Sequence, residues 1–420
     1  MYLGLTISHA HSNDFDSKHG GPVSKGICRA KKKWPVQANL FVYPNSMLLA
    51  ASVYTTQNER LRARWKIEGG LPPVPGQKVA TTRTVAAPQS AIPLQWIKEE
   101  YRFLPSDQLG PTMDAPSDYA GTFVVYDWET RTVVWQSEWE KLLGNPAGYC
   151  FADGQLYMND FEAGNIFRIG LEPEEPGKLL QRISHPYFND LHSLERTKRG
   201  LLAAACGTDL VVEVDLQGNV IWEWWAAEHG YDLTPSGDTR PSGRGGEHRN
   251  LYYHTRYQST HVNCAVVRDA EEERFVLALL FHQGILIQID RSLPAERQKG
   301  QVILEGLVRP HSLEKIPGGW IFCNSLSKEL VLLDDDLKVT GNIFYDGGWI
   351  QDCTRLPSGN IVLNDVDNTV LVEFAAPDWQ IVSRTNYPHS WRMGELVVVP
   401  LEHEDAFLNA RNGKTALVVG

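Results

Sequence analysis

Four histidines, His192, His261, His311 and His389, lie at related places in a repeating sequence. The motif His-Ser-Leu-Glu occurs at His192 and again at His311, and in both copies a glycine follows eight residues after the histidine. Gln351 takes the same place in a third copy. Neutral imidazole is a common ligand of transition metals. Histidines that a repeat brings together therefore predict a metal site made of these four side chains.

The chemistry of the ligands restricts the metal. Ligation by histidine alone suits Fe, Cu, Mn or Zn, whereas calcium prefers oxygen ligands and structural zinc sites usually contain cysteine. The sequence thus predicts a transition metal ion as cofactor and a small organic molecule as substrate. A structural ring of histidines and waters is the alternative, because buried imidazoles also need hydrogen-bond partners.

Other polar side chains are predicted beside the same histidines. Asn263 follows His261 by two residues, so both would lie on one face of a strand. His282 comes at the end of the next predicted strand. The segment that leads into His261 adds an aromatic ring and cationic donors suited to an anionic or aromatic substrate: Tyr253, His254 and Arg256. We interpret these five residues as catalytic candidates.

The elements that position these residues are predicted to be short strands. After each motif glycine an apolar segment, a polar break and a second apolar segment follow, as in 201–206 and 210–215. A closing segment at 220–224 completes the unit. Four short strands repeating at about 40 residues are typical of a β-propeller. We predict an all-β propeller of four-stranded blades that forms a single domain over 1–420.

The number of blades is left open by the count of repeats. Seven starts of innermost strands are predicted, near Val36, Gly148, His192, His261, His311, Gln351 and His389. This count favours seven blades, with an early strand at 2–7 completing the last unit. A six-bladed ring, with N-terminal and C-terminal strands merged in one blade, is the alternative.

Two insertions, 58–119 and 226–259, interrupt the repeat. The first falls between the second and third strands of a unit, and the second falls between two units. In a four-stranded blade both kinds of loop lie on one face of the propeller. The insertions are therefore predicted to form a lid over the histidines.

Composition excludes several classes of partner. The net charge is -11, with 40 Lys and Arg against 51 Asp and Glu, which argues against nucleic acid because phosphate binding needs clustered positive charge. No apolar run reaches the roughly 18 residues that a membrane span needs, and the first residues lack the pattern of a secretory signal. The sequence thus predicts a cytoplasmic protein without a membrane partner, and its six scattered cysteines predict free thiols.

One stretch resembles a known family. The segment 190–224, with its Trp-Glu-Trp strand, followed by His-Val-Asn at 261–263, resembles the arylsulfotransferase-like β-propeller family over roughly 190–330. The resemblance implies that an axial histidine accepts a sulfuryl group from a phenolic sulfate ester, and the matching positions are His192, His261, Asn263 and His311. Where that family has an arginine, this sequence has His282, which removes a fixed positive charge that sulfuryl transfer needs.

Three functions follow from these observations. The favoured one is a metal-dependent enzyme, an oxidoreductase or a lyase, acting on a small, aromatic or anionic substrate. Metal-free sulfuryl transfer on a histidine is the second. A non-catalytic propeller scaffold is the third.

Overall fold

The computed structural model describes residues 47–67, 92–93, 121–137, 145–160, 164–172, 176–249 and 251–410. All of them belong to one unit of the chain, Pro44–Gly420. They form six four-stranded antiparallel sheets, the blades of a β-propeller. The predicted fold class is confirmed.

The elements follow in chain order. The first are β1 (Leu48–Thr55), α1 (Asn58–Ile67), β2 (Ile92–Pro93), β3 (Thr122–Asp127) and β4 (Thr132–Gln136). Blade 1 consists of β5 (Pro146–Ala152), β6 (Gln155–Asp160), β7 (Asn165–Gly170) and β8 (Lys178–Ser184). Blade 2 consists of β9 (Leu191–Arg196), β10 (Leu201–Ala205), β11 (Leu210–Val214) and β12 (Val220–Trp225). The two-residue strand β13 is Leu251–Tyr252.

The second half of the chain repeats the pattern. Blade 3 consists of β14 (Val262–Val267), β15 (Phe275–Leu280), β16 (Ile285–Asp290) and β17 (Gln301–Leu304). Blade 4 consists of β18 (Pro310–Ile316), β19 (Gly319–Asn324), β20 (Glu329–Asp334) and β21 (Val339–Phe344). Blade 5 consists of β22 (Ile350–Arg355), β23 (Ile361–Asp365), β24 (Val370–Ala375) and β25 (Gln380–Asn386). The last elements are β26 (Arg392–Val398) and α2 (Leu401–Ala410).

Blade 6 joins the two ends of the described chain. Its strand order is β26-β1-β3-β4, with Leu49 opposite Val398 and Val53 opposite Met393. The prediction of seven blades is wrong and the six-bladed alternative is confirmed. The count was one too high because the last innermost strand pairs with β1 instead of starting a further blade. The predicted start near Val36 and the early strand at 2–7 lie outside the described residues.

The hydrophobic core lies between neighbouring blades. Leu202 and Val211 of blade 2 pack against Ala265 and Val276 of blade 3, and all four are buried. Because a middle strand is covered on both faces, β10 has the continuous apolar sequence Leu-Leu-Ala-Ala-Ala instead of an alternating one. The innermost strands contact one another in the order β5, β9, β14, β18, β22, β26 and again β5, which closes the ring.

Parts of both insertions are described. Helix α1 begins the first insertion, between the second and third strands of blade 6. The second insertion connects β12 of blade 2 to β14 of blade 3. Strands β2 and β13 pair with each other, so the two insertions meet. Among the described helices, none is long and apolar enough to cross a membrane.

Candidate functional site

Each innermost strand contributes one equivalent residue to the axis. In each blade, the last residue of the second strand pairs with an equivalent residue of the innermost strand. The six pairs are Asp160 with Pro146, Ala205 with Leu191, Leu280 with Val262, Asn324 with Pro310, Asp365 with Ile350, and Thr55 with Arg392. The next residue along the innermost strand is therefore equivalent in all blades: Ala147, His192, Asn263, His311, Gln351 and Met393. All of them line one cavity of about 330 Å³.

This register corrects the predicted equivalence of the histidines. His192 and His311 share a position, but in blade 3 that position holds Asn263. His261 lies two residues earlier, equivalent to Asp190 and Arg309, and all three adopt left-handed backbone with φ of 47°, 46° and 59°. The backbone bends at this position, and the His261 side chain lines the same cavity as His192 and His311.

His389 is not brought to the other three histidines. It is exposed, precedes β26 by three residues, and its Nδ1 lies 2.7 Å from Thr369 Oγ1. Met393 takes the equivalent place on the axis, because the innermost strand of blade 6 starts at Arg392. His389 is not among the described residues that line the cavity.

Asp209 holds the backbone that carries His261. Its carboxylate accepts hydrogen bonds from the N–H groups of Ser259, Thr260 and His261, each at 2.8 Å, and from Thr260 Oγ1 at 2.7 Å. Arg240 pairs with the same carboxylate at 3.0 Å. This buried anion ties the end of the second insertion to blade 2 and sets the position of His261.

The protonation of His261 follows from its neighbour Gln258. The side chain of Gln258 donates through Nε2 to Tyr253 O at 2.8 Å, which orients the amide, and its Oε1 faces His261 Nδ1. An amide oxygen only accepts, so Nδ1 donates and Nε2 of His261 keeps its lone pair. That nitrogen is a competent metal ligand.

His311 adopts the same tautomer. Its Nδ1 lies 3.0 Å from the carbonyl oxygen of Arg309 and 2.8 Å from Ser325 Oγ. Because the carbonyl oxygen only accepts, Nδ1 donates and Nε2 keeps its lone pair. The ring lies edge-on to Trp349 and Phe281, with centroids 5.4 and 5.2 Å away.

One group of side chains has the spacing of a metal site. The ligand atoms of His192, His261 and Cys206 all lie within 4.8 Å of one another, and the rings of the two histidines are 5.1 Å apart. Cys206 follows β10 and its Sγ donates to the carbonyl oxygen of Asp190 at 2.8 Å. The sequence predicts Cys206 at the end of a second strand, on the face where the histidines emerge, but it does not predict this residue as a metal ligand, because it does not stand at the repeat position of the histidines.

Burial keeps these groups neutral. It lowers the pKa of His192 and of His311 to about 3. It also lowers the pKa of His261 well below the usual value, with smaller effects from His192 and His282. Burial raises the pKa of the Cys206 thiol, aided by Asp190. The imidazoles are ready to donate electron pairs, while the thiol would lose its proton only to a bound cation.

His282 is committed to other contacts. Arg309 NH1 donates to its Nδ1 at 2.8 Å, and its Nε2 donates to Thr255 O at 2.8 Å. Burial lowers the pKa of His282 to about 4, and the charge of Arg309 adds to this effect. With both ring nitrogens occupied, His282 orients Arg309 and is tied to the backbone of the second insertion at Thr255. The Arg309 guanidinium also lies over the Phe281 ring, 4.6 Å from its centroid.

The remaining catalytic candidates occupy different places. Tyr253, His254 and Asn263 line the cavity. Tyr253 has its hydroxyl 2.9 Å from His248 Nδ1, and His254 Nδ1 accepts from the Arg256 N–H at 3.1 Å. Asn263 donates to Pro310 O at 3.0 Å, while its buried Oδ1 has no hydrogen-bond partner among the described residues. Arg256 is not among the described residues that line the cavity.

Other lining residues were missed from the sequence. The walls include three acids, two arginines and two further aromatic rings: Asp352, Asp367, Glu395, Arg62, Arg392, Trp65 and Trp349. Arg62 and Trp65 lie on α1, in the first insertion. No repeat signal marks them, because they stand at positions where the blades differ.

Comparisons with known proteins give only weak similarity. No protein-family model matches the sequence, and a search of curated proteins gives no match. A protein of unknown function from Bacteroides caccae is 13% identical, with 66% of this chain and 94% of that chain covered at a TM-score of 0.45. A streptogramin B lyase is 9% identical, with 70% and 87% covered at a TM-score of 0.44. The WD40 propeller domain of Doa1 is 13% identical, with 68% and 83% covered at a TM-score of 0.40.

Proposed function

We propose that this protein is a metal-dependent enzyme that acts on a small organic substrate in the axial cavity. The observation that carries the proposal is the spacing of His192, His261 and Cys206, whose ligand atoms lie within 4.8 Å of one another. Two of the three residues line the cavity, so a metal held there would face the substrate.

The three donor atoms restrict which metal ion this site would bind. Two imidazole nitrogens and one thiolate suit Zn or Cu better than Mn, because a soft sulfur ligand favours these ions. Catalytic zinc sites commonly have three protein ligands and leave one position open. A metal bound in this way would supply Lewis-acid chemistry or an activated water.

His311 serves a different purpose in this proposal. It is not in the group with metal-site spacing, yet its Nε2 lone pair is preserved and its pKa is low. That lone pair can accept a hydrogen bond from a bound substrate, and the low pKa keeps the ring neutral while it does so. Phe281 and Trp349, which flank its ring, form an apolar wall for the organic part of that substrate.

Metal-free sulfuryl transfer remains a second candidate because of one observation. The positive charge absent at position 282 is replaced by Arg309, whose guanidinium hydrogen-bonds to His282 and is buried. A guanidinium beside an axial histidine supports an anionic transition state. Under this candidate His192, His261 or His311 would be the sulfuryl acceptor, as the arylsulfotransferase-like resemblance implies.

Metal analysis separates the two candidates. We expect protein purified without chelator to hold about one Zn or Cu per chain, and His192→Ala and His261→Ala to lose it. His389→Ala is the matched control and should keep the metal, because this histidine lies outside the cavity lining. Wild-type protein that binds no metal and releases phenol from an aryl sulfate would favour sulfuryl transfer. Histidine variants that unfold would favour a structural ring.

A further inference from the structure

Arg392 lines the axial cavity but has no role in the chemistry proposed above. It is the first residue of β26, on the closing blade. Its guanidinium stacks on the Trp65 ring from α1, 4.8 Å from the centroid. The stack fixes the plane of the guanidinium at the wall of the cavity.

No carboxylate neutralises this guanidinium directly. Among the described residues Arg392 has no hydrogen-bonded or ion-paired acid. Asp367 is the acid that favours its charged form, but Asp367 pairs with Arg62 at 2.5 Å and accepts the Trp349 N–H at 3.1 Å. Asp367 is thus engaged by Arg62, which leaves Arg392 without a direct anionic contact among the described residues.

The charge is also partly desolvated. Burial lowers the pKa of Arg392 to about 10, and Arg62 adds to this effect, so Arg392 stays protonated near neutral pH. A guanidinium removed from water without an anionic partner is costly, and the cost is recovered when an anion binds. The position therefore favours a negatively charged ligand group.

The surroundings fit an anion that reaches toward the histidines. The charge of Arg392 contributes to the lowered pKa of His311, so the two groups lie within electrostatic reach. Burial raises the pKa of Asp352 to about 7 and that of Glu395 well above its usual value. These two acids therefore repel a bound anion less than ionised carboxylates would.

We propose that Arg392 binds an oxyanion group of the substrate, a carboxylate, sulfate or phosphate, whose organic part lies against Trp349 and Phe281. The proposal deepens the proposed function by naming the substrate class. The binding of the anion itself requires only Arg392 and the cavity, so it is testable with or without a metal.

Calorimetry with simple probes tests this assignment. Benzoate and phenyl sulfate are titrated into full-length protein, with benzyl alcohol as the neutral probe. We expect both anions to bind at least about tenfold more tightly than benzyl alcohol. Arg392→Gln should lower anion affinity at least about tenfold, and Arg392→Lys should retain part of it. Arg384→Gln is the matched control, because Arg384 also stacks on an aromatic ring, Tyr345, but does not line the cavity.

The same titration after chelator treatment separates this proposal from the metal site. Anion binding that survives chelation and is lost in Arg392→Gln supports the assignment, whatever the metal content. Anion binding that is lost on chelation and unchanged in Arg392→Gln would overturn it, and so would equal affinity for benzoate and benzyl alcohol. Circular dichroism of the Arg392→Gln variant checks that its loss of anion binding is not caused by unfolding, and partial binding by Arg392→Lys gives a second test of the same assignment.

Discussion

The histidines of the cavity differ in what holds each ring. His261 and His311 donate through Nδ1 to an oxygen acceptor and keep Nε2 for chemistry. His282 uses both nitrogens in fixed hydrogen bonds, with Arg309 as donor and Thr255 as acceptor. Residues of one type thus differ, according to their neighbours, in which ring nitrogen keeps its lone pair for a ligand.

Buried titratable groups give the fold a defined pH dependence. Burial raises the pKa of Glu314 and of Glu195 to about 8, so the folded state retains protons that the unfolded state releases above the ordinary glutamate pKa of 4.5. Their contribution to stability is lost as pH rises toward 8. His192 and His311 affect stability in the opposite direction. Burial lowers their pKa values to about 3, whereas the unfolded state binds protons below about 6.5, so their contribution to stability is lost as pH falls.

Glu314→Gln tests the alkaline side of this dependence. Between pH 6.5 and 8 the histidines titrate alike in wild type and Glu314→Gln, so the difference between the two proteins reports the carboxyl group of Glu314. We expect the free energy of unfolding of the wild type to fall over this range, and to fall by about 1–2 kcal/mol less in Glu314→Gln. Urea unfolding at both pH values measures the difference. Equal slopes in the two proteins would show that Glu314 is ionised in the folded state.

Sequence reasoning found part of the site and missed the rest for physical reasons. His192 and His311 were recognisable because one residue type recurs at one position of a repeat. His261 was aligned two residues away from its true equivalents, because spacing alone does not reveal a left-handed residue before the strand. The strand pattern predicts Cys206 on this face but not its closeness to His192 and His261, and Arg392 lines the cavity through contacts between elements that no local pattern encodes.

At the scale of elements, the connection between blades 2 and 3 positions the site. Asp209 follows the 3-10 turn Cys206–Thr208 and has left-handed backbone with φ of 54°. It accepts hydrogen bonds from three successive N–H groups that precede β14. One carboxylate thus connects the turn that carries Cys206 to the segment that carries His261.

Asp209→Ala should damage both the fold and the metal site. The change leaves buried N–H groups and Arg240 without their acceptor, so we expect a loss of roughly 3–5 kcal/mol in the free energy of unfolding. Metal affinity should fall about 10–100-fold, because a positioning contact of a ligand is lost. Urea unfolding and titration against a competing chelator measure the two effects.

Asp215→Ala is the matched control for this prediction. Asp215 also accepts backbone N–H groups in a turn, those of Gln217 and Asn219, but the turn is exposed and joins the two outer strands of blade 2. The control should lose little stability and keep its metal affinity. An Asp209→Ala variant that binds metal as tightly as this control would contradict the positioning role.

At the scale of the whole molecule, the ring depends on pairing between distant parts of the sequence. Blade 6 takes its innermost strand from 392–398 and its other strands from residues before 137. Sequence periodicity predicted the blades formed by consecutive strands, but the merged blade was only an alternative. A sequence repeat reveals strands that are neighbours along the chain. Closure of the ring is instead a pairing of β26 with β1, which are far apart in the sequence.

Truncation after Pro388 should therefore open the whole propeller. It removes β26, exposes the edge of β1 and uncovers buried apolar surface where Met393 and Leu396 had packed. We expect loss of the near-ultraviolet circular dichroism signal and aggregation on gel filtration. Truncation after Ala410 is the control and should keep the fold, since it retains β26 and α2. A native-like monomer ending at Pro388 would show that closure by β26 is dispensable.

The most direct measurement of the proposed metal centre is the absorption spectrum of the cobalt-loaded protein. Co²⁺ bound by His192, His261 and Cys206 should give the visible bands of a four-coordinate site together with a thiolate-to-cobalt charge-transfer band. Cys206→Ser should lose the charge-transfer band, and His389→Ala should leave the spectrum unchanged. A wild-type spectrum of cobalt in water, or one that changes in His389→Ala and not in Cys206→Ser, would contradict the proposed metal centre.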